Sequence, residues 1–163
     1  MTAWLPPLLR LQGFAGDWDK YVEALYAAFR EGFVTQPAHF RMRKIALKKH
    51  PIVDGKEAAF WHLISTGDSE SNRTPLMSRC ERIRWPRAIV DHEADPIIKV
   101  WFNFRNSERR ILLFLEDEGY LVVLSERKTY LLLWTAYPIE RKHHKIKLLK
   151  EYEEFIKKLE SPP

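Results

Sequence analysis

The sequence is poor in cysteine and has no long apolar run. Cys80 is the single cysteine among 163 residues, so no internal disulfide can form, which fits a reducing compartment. No apolar stretch approaches the roughly 20 residues that cross a bilayer. The first residues, MTAWLPPLLRLQ, lack the basic start and the helical apolar segment of a signal peptide. These absences predict a cytoplasmic protein with no membrane partner.

Motifs that mark several common enzyme classes are also missing. The chain has no GxGxxG, GxxxxGK[ST] or GxSxG, which disfavours nucleotide hydrolysis and serine-hydrolase chemistry. Its acidic residues form no pair typical of a glycosidase or a two-metal site. CxxC frameworks are absent, and the adjacent His143 and His144 lack the i, i+4 spacing of a helical metal site. The sequence therefore predicts no cofactor and no metal.

The composition is that of a basic globular protein. Hydrophobic residues make up 45% of the chain and aromatic residues 13%, which excludes the disordered class. A chain of this length is about one domain, so we expect a single domain over residues 1–163. The net charge of +5 favours a polyanionic partner such as RNA.

The first half of the chain is predicted to be mainly helical. A helix over about 17–32, capped by Asp17, is indicated by apolar residues that recur at three- and four-residue steps. HFRMRKIALKKHPIVDG predicts a short strand or extended arm, and GKEAAFWHLIST predicts a helix that carries His62. TPLMSRCERIRWPRAIVDHEADP predicts two short helical pieces. Thr74 is the expected N-cap of the first and Pro75 its first helical residue, and Pro86 should break or restart the helix after Trp85.

The second half predicts an antiparallel sheet. IIKVWFNF, RRILLFLE, YLVVLSE and TYLLLWTAYPI are rich in strand formers, and their short connections force antiparallel neighbours. A last helix over about 140–159 follows. Its expected buried residues are Ile146, Leu149, Tyr152, Ile156 and Leu159. The predicted fold is α+β: N-terminal helices packed on a four-stranded antiparallel meander, with the core at about 56–139, closed by a C-terminal helix.

Two hydroxyl-bearing side chains end the last predicted strand. Thr135 and Tyr137 are two residues apart and should share a face of the sheet; with a two-residue turn at Arg127-Lys128, Thr135 would face Tyr120. Their hydroxyls can donate to phosphate oxygens while the turn cations neutralise charge. Alternatively, Thr135 is strand filler and Tyr137 a rim aromatic.

His62 and a set of basic residues are further candidates. Metal-free RNA cleavage needs a group that moves protons near neutral pH, as imidazole does, although the apolar neighbours of His62 equally fit a half-buried structural histidine. A mixed basic and aromatic surface can hold a phosphate chain and stack a base, whereas a solvated charged surface explains the same residues. The predicted RNA-binding residues are Arg41, Arg43, Arg79, Arg82, Trp85 and Arg87.

Three of these segments resemble the barnase, EndoU, colicin and RelE group of ribonucleases, in particular its branch encoded on phages and mobile elements. In that branch a histidine-bearing helix, a helix ending in a sequence like RIRWPRAIV and a strand with Thr-x-Tyr recur. Here they are FWHLIS with His62, RCERIRWPRAIV, and LLLWTAYPI with Thr135 and Tyr137. The resemblance covers about 56–139.

The resemblance implies a metal-independent, toxin-type endoribonuclease that cleaves RNA by attack of a 2'-hydroxyl on its own phosphate. In this interpretation His62 is general acid or base, Arg127 or Lys128 stabilises the charged transition state, and Thr135 with Tyr137 orients phosphate or base. The substrate would be tRNA or another structured RNA, and a protein antitoxin or immunity partner is expected.

Two other functions fit the sequence. A non-catalytic nucleic-acid-binding module would use the basic arm over 41–49 with the arginines and Trp85 of the middle helices. A phage-encoded protein-interaction or inhibitor protein would instead depend on apolar surface left exposed after folding.

Overall fold

The computed structural model describes residues 2–161, which form an α+β fold. The helices are α1 (Trp18–Arg30), α2 (Ala58–Ile64), α3 (Met77–Cys80), α4 (Trp85–Asp91) and α5 (Lys142–Glu160). The strands are β1 (His39–Phe40), β2 (Arg43–Ala46), β3 (Ser65–Gly67), β4 (Arg73–Pro75), β5 (Ile98–Arg105), β6 (Glu108–Leu115), β7 (Tyr120–Glu126) and β8 (Leu131–Pro138). The prediction of one domain over residues 1–163 includes Met1, Pro162 and Pro163, which lie outside the described residues.

The main sheet has six strands in the order β1-β2-β8-β7-β6-β5. The strands β5 to β8 are antiparallel neighbours, as predicted. The prediction of a four-stranded antiparallel meander is nevertheless wrong, because β2 adds to β8 in parallel and β1 pairs with β2. The segment HFRMRKIALKKHPIVDG, predicted as a short strand or extended arm, supplies these two strands. Its parallel pairing joins segments far apart in the chain, which local sequence patterns do not reveal.

The register of β8 differs from the expected one. Thr135 lies opposite Val123 rather than Tyr120. The turn spans four residues, 127–130, instead of two, and Trp134 is an extra residue in a β-bulge. Both features shift the pairing while Thr135 and Tyr137 stay on one face.

The larger core lies between one face of the sheet and the helices α1, α2 and α4. Asp17 caps α1 as predicted, since its carboxylate accepts a hydrogen bond from the Lys20 backbone at 3.2 Å. After Arg30 the helix widens into a π-helical turn, Glu31–Thr35. The histidine-bearing helix is α2 and lies where the sequence predicts.

The two short middle helices are confirmed, but the predicted start of the first is wrong. Thr74 does not cap a helix, because it pairs with Thr66 in a small hairpin formed by β3 and β4. This pairing draws the Thr-Pro segment into extended backbone, and α3 begins only at Met77. Pro86 lies in the first turn of α4, where a missing N–H costs nothing.

The C-terminal helix α5 covers the second face of the sheet. Leu148 is its buried residue, and Tyr152 and Phe155 pack beside it against the sheet. The predicted stripe is wrong at its ends, because Ile146 and Leu159 are 56% and 67% exposed. No helix among residues 2–161 is long and apolar enough to cross a membrane.

Candidate functional site

A cavity of about 340 Å³ lies where α2, the β3–β4 hairpin and β8 meet. We call it the His62 cavity. Strand β2 pairs with β8 only at Leu131 and Leu132, so the rest of that β8 edge is free of a strand neighbour among the described residues. The cavity occupies this open edge, with His62 of α2 on one side and Thr135 of β8 on the other. Two residues singled out in distant parts of the sequence therefore share one cavity.

Three cationic side chains line the same cavity: Lys48, Arg73 and Arg79. Arg79 donates to the backbone carbonyls of His62 at 3.2 Å and Ser65 at 3.0 Å. Arg73 donates to the Ser65 hydroxyl at 2.9 Å and to its carbonyl at 2.7 Å. Within the described chain neither arginine forms a salt bridge. Carbonyls fix these guanidinium groups without cancelling their charge, so the cavity suits an anion.

His62 is oriented by a carboxylate from the hairpin. Its Nε2 lies 2.8 Å and 3.0 Å from the two carboxylate oxygens of Glu70. An ionised carboxylate only accepts hydrogen bonds, so Nε2 carries the proton and Nδ1 of the neutral ring keeps a lone pair. Lys48 approaches the same carboxylate at 3.4 Å, on the exposed side of the hairpin.

The protonation of His62 is set mainly by burial. Burial lowers the pKa of His62, and the charges of Arg73 and Lys48 act in the same direction. The hydrogen bond to Glu70 and the charge of Glu70 oppose them without reversing the shift. The ring is therefore neutral at neutral pH and has the protonation state of a general base.

Thr135 and Tyr137 lie on the face of β8 that looks toward α5, opposite Val123 and Leu121. Thr135 lines the His62 cavity, whereas Tyr137 lines a neighbouring cavity that also includes Thr135. Arg79 connects the two places, because its Cζ lies 5.2 Å from the centre of the Tyr137 ring. Burial raises the pKa of Tyr137, which keeps its phenol protonated and able to donate.

Arg127 and Lys128 do not line the His62 cavity. They lie in the turn that precedes β8, where Arg127 donates to the Ser125 hydroxyl at 2.6 Å and approaches Glu108 at 3.8 Å. Lys128 is exposed there. The structure brings His62 and Thr135 together and sets the two turn cations apart from them.

Several of the predicted RNA-binding arginines have carboxylate partners. Arg41 pairs with Glu93 at 3.2 Å, Arg43 with Glu126 at 2.7 Å, and Arg87 with Asp91 at 2.9 Å. Arg43 also donates to the carbonyl of Arg127, and Arg87 donates to the carbonyls of Gly32 and Gln36. These contacts give all three arginines a role in holding the fold.

Trp85 does not offer a ring face to a nucleotide. Its indole is 5% exposed, donates to the Pro6 carbonyl at 2.9 Å and packs edge-on to the Tyr120 ring. Arg82 stacks on Trp85 with its Cζ 5.0 Å from the ring centre. Of the predicted RNA-binding set, Arg79 reaches the His62 cavity.

Sequence reasoning missed Glu70 and Arg73 as site residues. Both lie in GDSESNR, between the helix predicted to carry His62 and the helix predicted to begin near Thr74. The signal that could have found them is the short polar turn between two extended segments, which is typical of a hairpin. That hairpin places Arg73 beside Ser65 and returns Glu70 to His62.

No family model matches this chain, and neither a curated protein nor a solved structure matches it. The structure, within residues 2–161, holds no group of three or more His, Cys, Asp or Glu side chains placed to share a metal ion.

Proposed function

We propose that this protein is a metal-independent ribonuclease that cleaves RNA by attack of a 2'-hydroxyl on the neighbouring phosphate. One observation carries the proposal: a single cavity holds a neutral, carboxylate-oriented histidine, a threonine hydroxyl and three cationic side chains. This combination supplies a base, a hydrogen-bond donor and charge stabilisation, which the reaction needs.

In the proposed reaction His62 accepts the proton of the attacking 2'-hydroxyl. As the 2'-oxygen bonds to phosphorus, the bond from phosphorus to the 5'-oxygen breaks, and the leaving 5'-oxygen takes a proton from solvent water. The lone pair on Nδ1 is available because Nε2 donates to Glu70, and the lowered pKa keeps the ring unprotonated at neutral pH. The negative charge of Glu70 stabilises the imidazolium that forms, so the carboxylate and the imidazole act as a pair.

The cations of the cavity bind the scissile phosphate and stabilise its added charge in the transition state. Arg73 and Arg79 are suited to this role because backbone carbonyls hold them in place and no carboxylate within the described residues pairs with them. In this proposal they replace Arg127 and Lys128, which the resemblance implies. Thr135 donates to a phosphate oxygen, and Tyr137 supports the position of Arg79.

The resemblance to the barnase, EndoU, colicin and RelE group supports the same reaction. The proposal extends to that group's fold, to a phage or mobile-element origin and to a cytoplasmic RNA target such as tRNA. A ribonuclease of this kind harms the cell that makes it. The proposal therefore includes a protein antitoxin or immunity partner.

The proposal is tested by comparing RNA cleavage and RNA binding in matched variants, in the presence of EDTA. Removal of the base in His62→Gln should slow cleavage by about 100-fold or more. Thr135→Val, which removes the hydroxyl and keeps the shape, should also slow cleavage, and both variants should still bind RNA. His39→Gln is the control, since His39 lies on the surface at β1 and not on the cavity. RNA that is bound but never cut would indicate the non-catalytic module instead.

A further inference from the structure

A second cavity, of about 270 Å³, lies on the other side of the β8 bulge, between the sheet and α5. Leu112, Leu121 and Val123 of the sheet give it apolar lining, and Trp134 and Tyr137 give it aromatic lining. The rest of the lining is largely polar and charged: Asn103, Arg105, Arg110, Thr135, His144 and Glu151. Aromatic and apolar side chains beside several polar groups suit a flat heterocycle that carries hydrogen-bonding groups.

Two buried polar atoms of this cavity lack hydrogen-bond partners within residues 2–161: Oδ1 of Asn103 and Nε of Arg110. The orientation of the Asn103 amide is fixed, because its Nδ2 donates to Glu151 at 3.2 Å. Glu151 is itself held by the Trp101 indole, which donates to it at 2.9 Å. The lining residues therefore hold one buried acceptor and one buried donor without partners, and a buried polar group without a partner costs free energy that a ligand can recover.

Arg110 is placed to serve such a ligand. Its Cζ lies 4.7 Å from the centre of the Trp134 ring, and its Nη2 is 3.7 Å from Glu108. Stacking on the indole fixes the plane of the guanidinium and leaves Nε for another partner.

The two cavities adjoin each other. Trp134 and Thr135 line both of them, because the bulge turns the backbone of β8 between the open strand edge and the α5 face. A ligand with an anionic part and a flat heterocyclic part can therefore occupy both sides of the bulge together.

We propose that this second cavity binds a nucleobase of the RNA whose phosphate occupies the His62 cavity. The inference rests on the proposed function for its substrate and identifies where that substrate's base lies. The Watson–Crick edge of every nucleobase offers an N–H donor beside an acceptor, which suits Asn103 Oδ1 and Arg110 Nε. An ionised phosphate has no donor for Asn103 Oδ1, which favours the base over a second phosphate.

The test measures binding of the four ribonucleosides to the full chain by NMR titration, with ribose 5-phosphate as the probe that lacks a base. We expect at least one nucleoside to bind and Arg110→Met to weaken it about tenfold, the effect of losing one hydrogen bond to a charged group. Ribose 5-phosphate should show no dependence on Arg110. Arg109→Met is the matched control, because the adjacent Arg109 pairs with Glu126 and does not line the cavity.

Two further variants keep the test decisive if Arg110→Met folds poorly. Arg110→Lys keeps the charge and removes Nε–H, and Asn103→Leu removes the buried acceptor; each should weaken nucleoside binding. Unchanged binding in both, or no nucleoside binding to the wild-type protein, would overturn the base site. If RNA is cleaved but no nucleoside binds, the base site fails and the ribonuclease stands. If nucleosides bind and RNA stays intact, the base site stands and the proposed ribonuclease activity fails.

Discussion

The arginines of this protein differ in the groups that they contact. Arg41, Arg43 and Arg87 meet carboxylates, whereas Arg73 and Arg79 meet carbonyls and a hydroxyl. A carbonyl partner orients a guanidinium and leaves its net charge in place, so the second pair attracts an anion. Residue type alone does not distinguish the two groups in a sequence with 27 lysines and arginines.

Replacement of Glu70 should change the pH dependence of cleavage in a defined direction. The hydrogen bond to Glu70 raises the pKa of His62, so Glu70→Gln lowers that pKa further. In the proposed reaction the active form of His62 is the neutral ring, so activity should be lost as the pH falls through its pKa. The acidic limb of the rate profile should therefore move to lower pH in Glu70→Gln. The plateau should fall about tenfold or more, because an amide can also donate and no longer fixes the tautomer.

The measurement is kcat/KM against pH. Asp68→Asn is the control, because it removes a carboxylate from the same hairpin and Asp68 forms no salt bridge in the described chain. Its profile should match the wild type. An acidic limb that moves to higher pH in Glu70→Gln would contradict the assignment of the base.

Arg87 should matter for stability and not for RNA affinity. It joins α4 to the π-helical turn through the carbonyls of Gly32 and Gln36 and also meets Asp91. Arg87→Met should lower the free energy of unfolding by about 1–3 kcal/mol, because those contacts include charged hydrogen bonds. Arg84→Met, at an exposed neighbouring position, should change it by less than about 0.5 kcal/mol. Urea denaturation measures the stability of both variants. If Arg87→Met lost RNA affinity without losing stability, Arg87 would be an RNA-binding residue instead of a structural one.

At the scale of secondary-structure elements, the sequence correctly predicts the helices and strands whose pattern lies within one short stretch of the chain. Periodicity and turn residues predict the N-cap and apolar stripe of α1, the position of α2 and the four long strands. The predicted start of α3 is wrong because Thr74 pairs with Thr66 in a hairpin, and a helical sequence pattern does not reveal a contact between strands. The predicted register of β8 is wrong because a bulge at Trp134 breaks the alternation of side chains on which register predictions depend.

The orientation of α5 gives a direct test at this scale. Leu148 of this helix is buried against the sheet, whereas Ile146 is 56% exposed. Leu148→Ala should lower the free energy of unfolding by about 2–4 kcal/mol, because it leaves a cavity in a packed interface. Ile146→Ala should change it by less than about 0.5 kcal/mol. Thermal or urea unfolding measures the stability of the two variants. Equal losses of unfolding free energy in Leu148→Ala and Ile146→Ala would contradict the observed orientation of the helix.

On the scale of the whole molecule, the candidate site depends on long-range organisation. The His62 cavity exists because β2 joins β8 in parallel for two residue pairs and then leaves the edge open. The sequence predicts His62, Thr135 and Arg79 as candidates, but their meeting depends on this edge and on the β3–β4 hairpin, which carries Glu70. Chemistry-bearing residue types are visible in a sequence, whereas the side chains that surround them are set by tertiary structure.

The salt dependence of RNA binding should report the cations of the cavity. With an uncleavable 2'-O-methyl RNA, log affinity should fall linearly with log salt, and Lys48→Met should make the slope less steep by about 0.7, the effect of one phosphate contact in single-stranded RNA. Lys158→Met, at the far end of α5, should leave the slope unchanged. Equal slopes for wild type and Lys48→Met would remove Lys48 from the proposed phosphate site.

The chemistry of the fragment ends tests the central claim most directly. Structured RNA such as tRNA is incubated with the purified protein in EDTA, and the ends of the fragments are determined. Attack by the 2'-hydroxyl predicts 2',3'-cyclic phosphate and 5'-hydroxyl ends, and no cleavage where the same site carries a 2'-deoxy sugar. Fragments with 5'-phosphate and 3'-hydroxyl ends, or RNA that stays intact with a folded wild-type protein, would contradict it.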